Sequence, residues 1–212
     1  GFPQYLATFL KSLINLVEFS VRFIPGAIGL VLRRGLYKIL CKKVGKGVII
    51  DVGVNFSQPW NVSIDDYSWI DTYVQITSPY AEVKIGKRVH IGPFTTIGGR
   101  GAVEIHDFVG ISSHVSIFTG SASPVNGKRM SGPMLPMKDQ AYYHAPVTLE
   151  KDSVVGSKSV ILPGVTMKHG SVLGALTTVD RNTIAWGIYK GSPAVLKERR
   201  RKPVVESEQS LN

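Results

Sequence analysis

The chain has 212 residues, 43% of them hydrophobic and 19% charged, with 22 glycines, 12 prolines and a formal net charge of +10. That length suits one ordinary domain with an appendage and a continuous core, and the composition excludes low-complexity and disordered classes. A single cysteine, Cys41, excludes an internal disulfide framework and suits a reducing cytoplasm.

Residues 1–43 differ in kind from the rest of the chain. Tyr5 to Ile24 reads as an amphipathic helix, with Leu6, Phe9, Leu10, Leu13, Ile14, Val17 and Val21 at helical spacing. Pro25-Gly26 breaks it, and a second helix runs from about Ile28 to Lys42, with Arg33, Arg34, Lys38 and Lys42 set among Leu30, Leu32, Leu36, Ile39 and Leu40. Lys11, Glu18 and Arg22 interrupt the apolar stretch and no small-residue cleavage site is present, so it does not read as a cleaved signal. The longest uncharged run, Phe23 to Leu32, is too short to span a bilayer. Two compatible readings stand: a helical cap over the open end of the adjoining repeats, or peripheral contact with an anionic lipid surface through residues 5–43.

From 44 to 196 aliphatic residues return every sixth position: Ile64, Ile70, Ile76; Ile85, Ile91, Ile97; Ile105, Ile111, Ile117; then Leu149 through Val155, Ile161, Met167 and Leu173 to Val179. A weaker triplet, Val44, Ile50 and Phe56, precedes them. Neither a helix nor a half-buried strand has this period, whereas a short strand plus a bend does. Three such units make one triangular coil, so the expected fold is all-β: a left-handed parallel β-helix of about six coils. Every departure from six falls after a third unit, so all extra residues leave from one corner; the largest, about 121–144, is a long loop of the kind that is often functional. Four residues after each anchor the side chain is small or β-branched (Ser68, Val89, Thr95, Ser159 and Thr177 among them), as an inward position at a narrowing corner requires. Trp60 and Tyr80 break that rule.

Basic residues gather at Arg33-Arg34, at Lys42-Lys43 and from Lys197 to Lys202, within a C-terminal segment, 197–212, read as a basic tail. No aromatic-interleaved basic face or known module points to nucleic acid; an anionic small molecule or an acidic membrane fits better.

The segment Ala145-Pro-Val-Thr-Leu-Glu, Val155-Gly-Ser, Ile161-Leu-Pro-Gly-Val-Thr, Leu173-Gly-Ala-Leu and Ile188-Tyr-Lys-Gly-Ser-Pro-Ala194 strongly resembles the hexapeptide-repeat acyltransferases over about residues 44–198. It is most similar to the O-antigen and exopolysaccharide sugar acetyltransferases, with galactoside and maltose acetyltransferases as cousins. The resemblance implies a cytoplasmic homotrimer binding acetyl-CoA between subunits, its pantetheine arm along Ser157 and Gly174-Ala175. Its 3′-phosphate end would lie near Arg181, Ser192-Pro193 and Lys197. It also implies a loop that helps enclose the acceptor, in which Met130-Ser-Gly-Pro-Met-Leu-Pro136 looks like a family element.

Acyl transfer wants a general base. Galactoside-type relatives place a histidine at the loop start, where this chain has Thr119-Gly-Ser-Ala122. Of the five histidines, His90 and His169 read as solvated and His106 as outward-facing beside Asp107, which could orient it. Coil arithmetic stacks His114 between Phe94 and Lys158, and His144 stands where the loop rejoins the helix; these two are the candidate bases, His114 first. The leading expectation is acetyl transfer to a sugar hydroxyl in cell-surface polysaccharide synthesis. The alternatives are N-acetylation of a nucleotide- or lipid-linked amino sugar, for which the missing loop histidine speaks, and a non-catalytic scaffold. No two histidines have the His-x4-His spacing of the zinc β-helix lyases, so no metal is expected.

Overall fold

The structure is a computed structural model that describes residues 2–122 and 136–202, with the side chains of 2–11 and of Met137 left aside. Most of the long corner segment, including Met130 to Leu135 of the family element, and the last ten residues lie outside the described residues.

Six complete triangular coils and one strand of a seventh stack into a parallel β-helix. The anchors form three ladders in strict register. Ile64, Ile85, Ile105, Leu149 and Met167 pair along the first sheet. Ile50, Ile70, Ile91, Ile111, Val155 and Leu173 pair along the second, and Phe56, Ile76, Ile97, Ile117, Ile161 and Val179 along the third. All of these are 2% exposed or less, so the six-residue period is the core itself. The inward small positions add backbone closure between coils. Ser68 Oγ donates to the Gly86 carbonyl (2.6 Å) and accepts from Val89 N–H (3.0 Å); Ser159 does the same with Gly174 and Thr177 between the last two complete coils. Trp60 and Tyr80 do not point inward: both sit in the irregular corner segments and are exposed. A hexad count cannot be carried across an insertion.

The prism has three edges. The first joins the first sheet to the second, the second edge joins the second sheet to the third, and the third edge carries every insertion. Along the first two edges one residue per turn adopts a left-handed backbone: Tyr67, Arg88, Phe108 and Asp152 on one, Tyr73, Phe94, His114, Lys158 and Leu176 on the other. Such backbone is strained for most side chains. At the starting coil Gly47 and Gly53 take the position, because Tyr67 and Tyr73 of the next coil fill the space a Cβ would need.

The basic run after 196 is less of a tail than its composition suggests. Val195–Arg199 forms a strand antiparallel to Gly187–Lys190, after a turn with a cis Ser192-Pro193 bond. Arg200 donates to the Asp152 carbonyl (2.8 Å) and lies over the Trp186 ring. The sheet's last edge is thus loaded with Lys197, Glu198 and Arg199, which discourages strand addition.

Two helices, α1 (Phe2–Arg22) and α2 (Gly26–Leu40), precede the coils. Tyr37 of α2 packs on Phe56 (ring centroids 4.7 Å apart) and closes the first coil. Leu40 and Cys41 pack against the same core, and polar ties add to these. Arg33 Nε donates to the Ile50 carbonyl (3.0 Å) and its Nη1 to that of Ile24 (2.6 Å). Glu18, buried in α1, accepts from Tyr37 Oη (2.6 Å) and Arg22 Nη2 (3.0 Å). Of the described members of the α1 stripe, Leu13 and Val17 are exposed, as are Leu16 and Phe19 beside them, whereas Ile14 and Val21 are half-buried, Ile14 beside Ser57, Gln58 and Trp60. None of the described helical residues forms a segment long and apolar enough to cross a membrane.

Candidate functional site

The second edge carries a continuous column. Tyr73 stacks on Phe94 (5.3 Å between centroids, 6° between planes), and Phe94 stacks on His114 (5.0 Å, 25°). The His114 N–H bonds the Pro93 carbonyl and Lys158 N–H the Ser113 carbonyl, so Lys158 occupies the next level, as coil arithmetic requires. The left-handed turn lifts the His114 ring away from the coil and leaves it exposed. Ser157 lies on the same edge, its hydroxyl 3.4 Å from that of Ser113. Neither Ser157 nor Ala175 packs inward; that role belongs to Ser159 and Thr177, and Ala175 is exposed. Gly174 is closed over by the aliphatic stem of Lys190 and the Tyr189 carbonyl, so its missing side chain makes room for the neighbouring strand. Thus His114, Ser157 and Ala175 share one edge, with Lys158 and Leu176 continuing the column from His114.

His144 lies elsewhere. Tyr142–His144 pairs antiparallel with Gly120–Ala122, which puts His144 opposite Gly120 on the third edge. The two candidate bases of one chain therefore stand on different edges of the prism. Beside His144 is a residue that reading the sequence missed: Arg100, whose guanidinium lies 4.4 Å from the Tyr142 ring centroid and 5.5 Å from that of Tyr80. Around it the chain is glycine-lined. A Cβ on Gly120 would overlap the Tyr142 hydroxyl, and one on Gly101 the Ala145 carbonyl. The one signal for it in the sequence is Gly98-Gly99-Arg100-Gly101, an arginine set in backbone that can approach a ligand closely.

At the far end, Arg181 and Pro193 line a cavity of about 290 Å³ with Asn182, Tyr189 and Ala194. Arg181 is largely exposed, its Nε 3.6 Å from Asp180, and Ser192 precedes Pro193 in the same turn. Lys197 projects from the exposed last strand two residues beyond the cavity lining. The other histidines have local carboxylates: His90 lies 3.3 Å from Asp71 and stacks on Trp69, and His169 lies 3.8 Å from Asp152. His106 is 3.9 Å from Glu104, not oriented by Asp107, which accepts from Lys87 N–H instead. Among the described residues no three of His, Cys, Asp and Glu gather in a metal-sized cluster.

No family model matches the chain. It is 31% identical to the dTDP-4-amino-4,6-dideoxy-D-glucose acyltransferase of Escherichia coli, over 79% of this chain and 86% of that protein. The chain belongs to the hexapeptide-repeat acyltransferases. At 22% identity it also resembles the putative colanic acid biosynthesis acetyltransferase WcaF of Escherichia coli (strain K12), over 79% of this chain and 75% of that one. The crystal structure of a point mutant of AntD, an N-acyltransferase from Bacillus cereus in complex with dTDP and coenzyme A, superposes with a TM-score of 0.77 at 29% identity. That match covers 84% of this chain and 95% of AntD. Within this acyltransferase family the two edges and the terminal cavity are the surfaces to which chemistry has to be assigned.

Proposed function

We propose that the chain transfers an acetyl group from acetyl-CoA to the amine of a nucleotide-linked amino sugar destined for cell-surface polysaccharide. The observation that carries this is His114 standing exposed on the same edge as Ser157 and Ala175. The fit for a pantetheine arm is good there: nothing bulkier than a hydroxymethyl stands on Ser157 and Ala175, and the second edge runs as one column. Acetyl-CoA would supply the acyl group and a thiolate leaving group. His114 would accept the proton that the attacking amine loses, a contribution of roughly 10²–10⁴ in rate for a positioned general base. An always-charged arginine suits phosphate, so Arg181 with Ser192, Pro193 and Lys197 would take the 3′-phosphate end of acetyl-CoA. Arg100, held between two tyrosines, would take the acceptor's diphosphate.

Names of similar proteins support the amine: the Escherichia coli relative and AntD are an amino-sugar acyltransferase and an N-acyltransferase. The second reading, transfer to a sugar hydroxyl, draws on the likeness to WcaF, in which case His144 is the alternative base. We further propose a cytoplasmic homotrimer, in which the third edge of one protomer, with Arg100 and His144, faces the second edge of its neighbour. Residues 5–43 would meet a membrane peripherally.

Thiol release from acetyl-CoA, measured across nucleotide-linked amino sugars and their hydroxyl counterparts, tests the proposal. His114→Ala should lower turnover at least about tenfold. Turnover with none of these acceptors, or an unchanged His114→Ala enzyme, would refute it.

A further inference from the structure

The two helices are amphipathic inside out. Their charged and polar members Glu18, Arg33 and Tyr37 are buried against the first coil, while Leu16, Phe19, Ile28, Val31 and Ile39 are turned to solvent, Ile39 to 82% and Val31 to 72%. The arrangement is locked. A Cβ at Gly29 would collide with the Ile24 carbonyl, and rolling either helix would break the Arg33 and Glu18 bonds. The apolar face is therefore a fixed outer surface, and a contiguous one of this kind on a folded domain marks an interaction site.

Charge identifies the occupant. Residues 1–50 contain eight lysines and arginines and one carboxylate, Glu18, which is buried and already bonded. Between α2 and the first coil lies a groove of about 360 Å³ lined by Leu30, Val31, Val48 and Ile49 together with Arg34 and Lys38. Arg34 Nε is shielded from solvent without a hydrogen-bond partner, and neither Arg34 nor Lys38 has a carboxylate partner among the described residues. An alkyl-lined groove with two uncompensated cations in its lining, opening beside an apolar helical face, matches a lipid acyl chain and its anionic headgroup. A second copy of the same face would oppose cations with cations.

We propose that α1 and α2 form a docking surface for an anionic bilayer, lying in the interface with Arg34 and Lys38 on phosphate groups. This deepens the peripheral contact proposed above and does not depend on the acceptor. Flotation of the full chain should be strong with vesicles of phosphatidylcholine containing about one third phosphatidylglycerol, and absent with phosphatidylcholine alone. At roughly 1 kcal/mol per basic residue near such a surface, the Arg34→Glu/Lys38→Glu variant should bind at least about thirtyfold more weakly. The Ile28→Asp/Ile39→Asp variant should no longer float, and both should keep the wild-type melting curve. Thiol release with a soluble acceptor should be unchanged in both variants, so loss of lipid binding is separable from failure of the transferase reading. Failure of the wild-type chain to float, or equal flotation by both variants, would overturn the proposal. So would concentration-dependent self-association that Ile39→Asp abolishes, which would give the face to a second copy.

Discussion

The coils and the helices bury opposite halves of the amino-acid alphabet. In the β-helix the aliphatic anchors go inward and hydroxyls inside are bonded to backbone of the next coil. In the helices an ion pair, a tyrosine and an arginine go inward and the aliphatics go out. Both are stable solutions, but only the first is finished by the chain itself. The second leaves apolar area for something else to cover, because directional hydrogen bonds from Glu18 and Arg33 join the packing of Tyr37 and Leu40 in fixing which face turns outward.

The same substitution should separate the two regions most sharply. Ile111→Asp puts a carboxylate where no water or cation reaches, at a cost of several kcal/mol, and should leave no folded protein on size exclusion. Ile39→Asp changes a side chain already in solvent and should alter stability by no more than about 0.5 kcal/mol in urea melts. Equal tolerance at both sites would break the contrast.

How much of the chain is legible from its residues alone divides along the same line. Ile64 through Val179 announce the coils because a hexad acts at short range: each anchor's burial depends only on its own turn and the register above it. The same logic places His114 over Phe94. It fails at Trp60 and Tyr80, where an insertion shifts the phase, and at Arg100, whose partner Tyr142 is brought back by a segment no period governs. The helices are legible as helices, yet amphipathicity does not say which face is buried. The signal lies in Gly29, Arg33 and Tyr37, spaced by four residues, with Glu18 to receive Tyr37 and Asp51 beside Arg33.

Glu18 gives the next test. Removing one partner of a buried charged cluster strands the others, typically at about 3–5 kcal/mol. In Glu18→Ala, Arg22 keeps Asn55 (2.6 Å) but Tyr37 Oη retains only the Val54 carbonyl at 3.3 Å. Hydrogen exchange should show α1 losing its protection while the strands at Ile91 and Ile111 keep theirs. Loss of protection throughout would mean that the helices are part of one cooperative core with the coils.

The smallest effect concerns Cys41, which sits at the join between the two regions. Burial, with the Glu18 charge nearby, pushes its thiol up to about 12. The neutral thiol is therefore favoured by the fold, and the folded chain holds its proton where the unfolded chain, titrating near about 8.5, has lost it. Protons bound in the folded state and absent from the unfolded one make stability fall as pH rises. The contribution is intact below about pH 8.5 and declines from there toward 12. Burial and the same Glu18 raise Tyr37 in the same sense, so its phenol adds to the decline above its own ordinary range. Native protein at neutral pH should resist alkylation by iodoacetamide until it unfolds. Cys41→Val should flatten the alkaline loss of stability between about pH 9 and 10 without altering the melt at about pH 7. Rapid labelling of the native thiol would mean that the seam between α2 and the first coil opens readily, and that the polar ties hold the helices less firmly than the hydrophobic ladder holds the coils.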